Sequence, residues 1–186
     1  MAGHAHADHG GNKPIALLIA ILALCLALVE TGAKSAQTEA ISRNVEAANL
    51  WSFFQARTIR QTTLRTATEH AELEKLGRDA AAAATIDKQQ KAWRDAIARW
   101  ESEPETQEGR KELMARAKAA EEKRDRSMAA YHLFEYGAAC FQVAIVVASA
   151  SIITGVALLA FAGIGLGIIG VVLGGFGWLA PLALHL

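Results

Sequence analysis

The chain has 186 residues, 52% of them apolar and 20% charged, with nineteen Lys and Arg against nineteen Asp and Glu. That balance excludes the strong basic field of a nucleic-acid binder, and the apolar content excludes an intrinsically disordered chain. Every Asp, Glu, Lys and Arg lies between Asp8 and Glu135, and a stretch as long as Tyr136 to Leu186 without charge implies lipid and excludes a soluble cytosolic enzyme.

The first segment, residues 1–13, is a Gly-containing tail with His4, His6 and His9 in a His-x-His-x-x-His pattern beside Asp8. Imidazoles of this kind can hold a divalent metal ion, which is the one cofactor the sequence suggests. A solvated tail is the plainer reading, because nothing fixes the geometry of the three side chains.

Residues 14–32 read as the first transmembrane helix, an apolar run from Pro14 to Val29 bounded by Lys13 and Glu30. A cleaved signal peptide is disfavoured, since the preceding region holds one Lys and the apolar core exceeds a usual signal core. Ala16, Ala20, Ala23 and Ala27 repeat at four, three and four residues, a spacing that lets helix backbones approach in lipid.

Residues 33–134 form a charged segment rich in Ala, Glu, Lys, Arg and Gln, all strong helix formers. Three helices are predicted. The first runs from about Lys34 to Leu76 and stops at Gly77. The second covers about Asp79 to Glu101, and the third starts near Glu105 with Pro104 in its first turn. Ile41, Val45, Ala48, Trp51 and Phe54 share one helical face by spacing, as do Ile86, Trp93, Ile97 and Trp100 on the next helix. Trp51, Phe54, Trp93, Ile97 and Trp100 are therefore the expected core of a helical stalk whose pattern falls short of a perfect coiled coil. Arg57 and Arg60 are expected to pair with glutamates of a neighbouring helix.

Residues 135–186 suit a transmembrane hairpin that reverses at about Thr154 to Leu158 and stops at Pro181. Its last helix carries Gly163, Gly167, Gly170, Gly174 and Gly177 at four, three, four and three residues, a seam made wholly of glycine. That groove is expected to receive a neighbouring protomer in preference to a helix of the same chain. Glu30 and Gln142 are the polar side chains nearest lipid, and such groups are functional candidates.

A search for catalytic patterns finds no Gly-x-Ser-x-Gly, phosphate loop, His-Glu-x-x-His or Cys-x-x-Cys. Cys25 and Cys140 sit in separate apolar segments and do not suggest a disulfide framework.

Two stretches carry a resemblance. Ala33 to Ala40, followed by the pattern Trp51, Gln55, Ala56, Ile59 and Gln61, resembles a bacterial membrane-protein family known as domain of unknown function 4337. Tyr131 to Tyr136, Phe141 to Thr154 and the Gly-rich final helix are similar to the second hallmark of that family. The resemblance covers nearly the whole chain and implies an architecture without an activity.

The expected fold is an all-α membrane protein with three transmembrane helices and a long coiled-coil-like stalk or hairpin between the first and second. The expected function is that of a non-enzymatic, structural or scaffolding homo-oligomer in the bacterial inner membrane, its helical segment in the cytoplasm. Its partners would be lipid, further copies of itself and an unidentified protein, with no nucleic acid. A channel or transport accessory, handling metal through the His tail, is the alternative.

Overall fold

The computed structural model describes residues 13–184. Among these residues all regular structure is helical, in the order α1 (Lys13–Glu74), α2 (Ala80–Glu101), α3 (Arg110–Thr154) and α4 (Ala157–Leu179). α1, α3 and α4 are long and apolar enough to cross a membrane. The predicted His tail, with His4, His6 and His9, lies outside the described residues.

The helix ends follow local chemistry. α1 passes through Gly32 and Lys34 without interruption, so the first apolar segment and the first stalk helix are one element. A single Gly costs a helix only about 1 kcal/mol, and no proline stands there to break it. α1 ends at Glu74, and Gly77 takes the left-handed conformation (φ 82°) that lets the chain turn. Asp79 then caps α2 by accepting a hydrogen bond from the Ala82 amide at 2.8 Å.

The predicted start of the third helix is corrected. α3 begins at Arg110 instead of near Glu105, and Pro104 lies in the preceding loop. The first helical bond joins the Leu113 amide to the Gly109 carbonyl at 2.8 Å. Glu112 holds the loop back: its carboxylate accepts from Ser102 Oγ at 2.7 Å and from the Glu103 amide at 3.1 Å. A side chain on Gly109 would collide with the Glu103 backbone, so glycine is required there. The reversal between α3 and α4 falls where it was expected, at Gly155 (φ 72°) and Val156. The break is secured by Ser151 Oγ donating to the Val156 carbonyl at 2.9 Å.

The helices form two compact units, one taking in residues up to Ile41 and from Arg124 onward, the other Ser42–Lys123. This is a division by packing, and it falls inside the charged segment at both ends. In the first unit three helical segments pack around Leu22, Val29, Ala130, Phe134, Ala138, Phe141 and Ala144. On α3 the buried positions Ala130, Phe134, Gly137, Phe141, Ala144 and Ala148 alternate steps of four and three, which keeps one face toward its neighbours.

In the second unit α2 and the first part of α3 both lie against α1. Gln90 bonds to Thr68 and Gln61 to Ile97, so residue numbers fall on one helix as they rise on the other and the pairing is antiparallel. Trp51 with Glu121 and Gln61 with Arg110 show the same sense for α3. The α1 positions turned inward are Ala47, Leu50, Phe54, Arg57 and Gln61, again at three and four. The predicted stripe is thereby corrected: Ile41, Val45 and Ala48 are exposed, and only Trp51 and Phe54 of that series meet the core.

Candidate functional site

The core of the second unit is small in its apolar part. Ala47, Leu50, Leu113, Ala117 and Ala120 are buried, with Trp51 and Phe54 packed against them. Trp93, Ile97 and Trp100 are half-buried at the α2 face. A core of alanines and leucines brings helices close but buries little area, and polar side chains supply much of the rest. Trp51 Nε1 donates to Glu121 Oε1 at 2.8 Å, tying α1 to α3.

Two glutamines are the hubs. Gln61, 1% exposed, donates through Nε2 to the Ile97 carbonyl (3.1 Å) and Glu101 Oε2 (3.2 Å). Its Oε1 accepts from Arg110 Nη1 at 3.0 Å, and the same nitrogen donates to Glu101 at 2.9 Å. All three helices therefore meet at one amide. Gln90 is fully buried and donates to the Thr68 carbonyl (2.8 Å) and Glu72 Oε2 (3.0 Å), while Arg94 donates to its oxygen at 3.3 Å. A buried amide that uses both ends locks register, because sliding either helix leaves it unpaired.

Ionic contacts continue the network. Arg57 pairs with Glu108 at 3.0 Å and approaches Glu103 at 3.9 Å, while the Arg110 guanidinium lies 4.9 Å from the Phe54 ring centre. Lys75 pairs with Asp87 and, at 2.8 Å, with Glu72. The hydrogen bond to Asp87 raises the Lys75 pKa, with that to Glu72 adding to it. The hydrogen bonds from Lys75 and then Gln90 lower that of Glu72. Glu112 is lowered chiefly by the bond from Ser102. Glu72 and Lys75 stand at the end of α1 and Glu112 in the first turn of α3, where they hold helix termini.

In the first unit the five seam glycines are all buried, and the side chains they meet belong to the same chain. A Cβ on Gly170 would stand 3.0 Å from the Phe141 ring and 3.1 Å from the Gly137 carbonyl. One on Gly177 would meet Phe134 at 2.8 Å, and one on Gly163 the Ala144 carbonyl at 3.1 Å. Gly167 and Gly174 instead face Leu22 and Val29 of α1, at 2.6 and 3.0 Å. The groove that the sequence offers to a neighbouring protomer is lined in this chain by Phe134, Phe141, Leu22 and Val29. The Ala run exchanges roles with the glycines: Ala16, Ala20, Ala23 and Ala27 are exposed, on the α1 surface turned away from α3 and α4.

Gln142 Nε2 donates to Glu30 Oε1 at 3.5 Å, in an open groove of about 520 Å³ also lined by Lys34, Tyr131 and Glu135. No group of three or more metal-binding side chains occurs among the described residues.

The family described as Domain of unknown function (DUF4337) matches residues 11–180. The chain belongs to this family. No curated protein matches, and no solved structure does.

In this DUF4337 chain the hallmark stretch divides by face. Trp51 and Gln61 turn inward to bonds, whereas Gln55, Ala56 and Ile59 are exposed. Gln61, Gln90 and Arg110 were missed as interior residues in the sequence. The available signal was their register, since Gln61 continues the steps from Phe54 and Arg57, and Gln90 lies between Ile86 and Trp93.

Proposed function

We propose that this DUF4337 protein is a non-enzymatic integral membrane protein that acts as a structural or scaffolding homo-oligomer. α1, α3 and α4 supply its three transmembrane helices, and Ser42–Lys123 belongs to a coiled-coil-like stalk projecting from the bilayer. The reading places it in the bacterial inner membrane with the stalk in the cytoplasm, in contact with lipid, further copies and an unidentified protein partner.

One observation carries it. The two buried glutamines of the second unit are spent on joining helices, as at Gln61, where α1, α2 and α3 meet. The first unit is likewise filled, with Phe134 and Phe141 lying against glycine backbone. What such a chain offers to the cell is a stiff surface. The test is mass in mild detergent by light scattering, together with cross-linking in native membranes. A discrete multiple of the chain is expected, and a monomer at every concentration would overturn the proposal.

The Gln142–Glu30 contact favours a second reading as a channel or transport accessory, to which His4, His6 and His9 would add metal capture. Ion flux into proteoliposomes that disappears with Glu30→Gln would establish that reading in place of the first.

A further inference from the structure

We infer that α1 carries a second, outward seam within Ser42–Lys123, along which it pairs in parallel with α1 of a second copy. This deepens the scaffold reading and rests on it. The seam is a matter of register. From Val45 the exposed positions step by three and four through Ala48, Ile59, Thr62 and Thr66 to Leu73. Ser52 and Gln55 fill the middle steps, and Glu69 is the one charged member. The inward positions Ala47, Leu50 and Gln61 lie two residues further along, roughly 200° around the helix. α1 therefore has two heptad faces, and its own chain uses one.

The uncovered face is apolar where a seam needs it. Val45 is 52% exposed, Ile59 66% and Leu73 67%, and they recur at multiples of seven. Around Ile59 and Thr66 the face opens into a groove of about 800 Å³, walled by Thr58, His70 and Trp93. A spacing near three and a half residues specifies a left-handed pairing with another helix of the same rhythm, over about 42 Å here.

Charge and anchoring identify the occupant. In a parallel, in-register pair the flanking positions meet as Asn44 with Asn49, Trp51 with Ala56, Thr58 with Thr63 and Arg65 with His70, so no two carboxylates and no two Lys or Arg side chains oppose there. Glu69 has Arg65 one turn before it to offset its own image. α1 is one continuous helix whose first part is apolar enough to cross a membrane, so each copy enters the pair anchored at one end. A heptad face with Glu69 as its one charged member, on a helix that begins in an apolar segment, is what a second α1 presents. Copies inserted in one bilayer with one topology are parallel by construction.

The test is disulfide trapping of the full chain in native membranes, with Cys25 and Cys140 replaced by Ala. Seam positions meet their own images in a parallel pair, so Val45→Cys, Ile59→Cys and Thr66→Cys should each give a cross-linked dimer on mild oxidation. Gln89→Cys, exposed on α2, should not. The double variant Ile59→Glu with Leu73→Glu, both on the surface, should weaken association by about tenfold or more. An oligomer by light scattering that forms no seam disulfide and ignores the double variant overturns the seam and leaves the scaffold reading intact. A monomer overturns both.

Discussion

An amide between two helices stabilises them only while both its ends are used. Gln61 meets that condition with bonds to Ile97, Glu101 and Arg110. Gln61→Leu keeps the bulk but removes the bonds to the Ile97 carbonyl, Glu101 and Arg110, and losing a buried hydrogen-bonding partner costs about 1–3 kcal/mol. Urea unfolding followed by tryptophan fluorescence should show a loss of that size, with Gln89→Leu on the exposed face of α2 close to neutral. Equal midpoints would remove Gln61 from its role. Carboxylates at the helix ends add a pH dependence. Glu72 and Glu112 are held below the ordinary glutamate range by bonds from Lys75 and Ser102. A depressed folded pKa contributes stability above the unfolded value and loses it as pH falls through the folded one. Unfolding midpoints should thus decline below about pH 4.3, and Glu112→Gln should flatten part of that slope. None of these roles was legible from composition, since a glutamine or glutamate in a charged helix reads as solvated until its register is fixed.

Helices in lipid choose faces by shape, and here two stripes of identical spacing compete. The glycine run of α4 and the Ala run of α1 were both visible in the sequence; which of them faced the chain's own helices was not, because spacing alone gives no partner. Size decides it. Glycine can admit Phe141 and Phe134 where alanine cannot, so the bulky side chains of α3 select α4. The contact between Gly170 and the Gly137 carbonyl is backbone to backbone and has little room to yield. Gly170→Leu should overpack the bundle by about 1–3 kcal/mol or more, lowering its thermal midpoint in detergent. Gly165→Leu, where a side chain would meet open space, serves as the control. Any oligomer that still folds should keep its mass, since the seam lies within one chain; dissociation without loss of midpoint would return the glycines to an intermolecular role. The α2 tryptophans follow the same logic. Trp93 is half-buried on a groove, so Trp93→Ala should cost less than the about 3–5 kcal/mol of a core aromatic.

Three helices able to cross a membrane, with the charged segment between the first and second, allow two topologies, and the basic residues choose between them. Lys34, Arg43, Lys118, Lys123, Arg124 and Arg126 lie near the ends of the apolar segments on the charged side, against Lys13 on the other. The proposed orientation has the charged segment inside and both Lys13 and the Gly155 reversal outside, in keeping with the tendency of basic residues to stay in the cytoplasm. The number of apolar helices and the reversal at Gly155 were legible because charge and glycine mark them directly, whereas the α3 start was not, since it depends on Glu112 reaching back to Ser102. The proposed membrane sidedness can be measured. Gln89 is exposed near the middle of α2, so Gln89→Cys in a chain with Cys25 and Cys140 replaced by Ala reports where the charged segment sits. An impermeant maleimide should leave it unlabelled in intact cells and modify it once the membrane is opened. Lys13→Cys should behave in the opposite way, reacting in intact cells. Labelling of Gln89→Cys before permeabilisation, with Lys13→Cys protected, would invert the protein and turn the stalk, with its outward α1 seam, away from the cytoplasm.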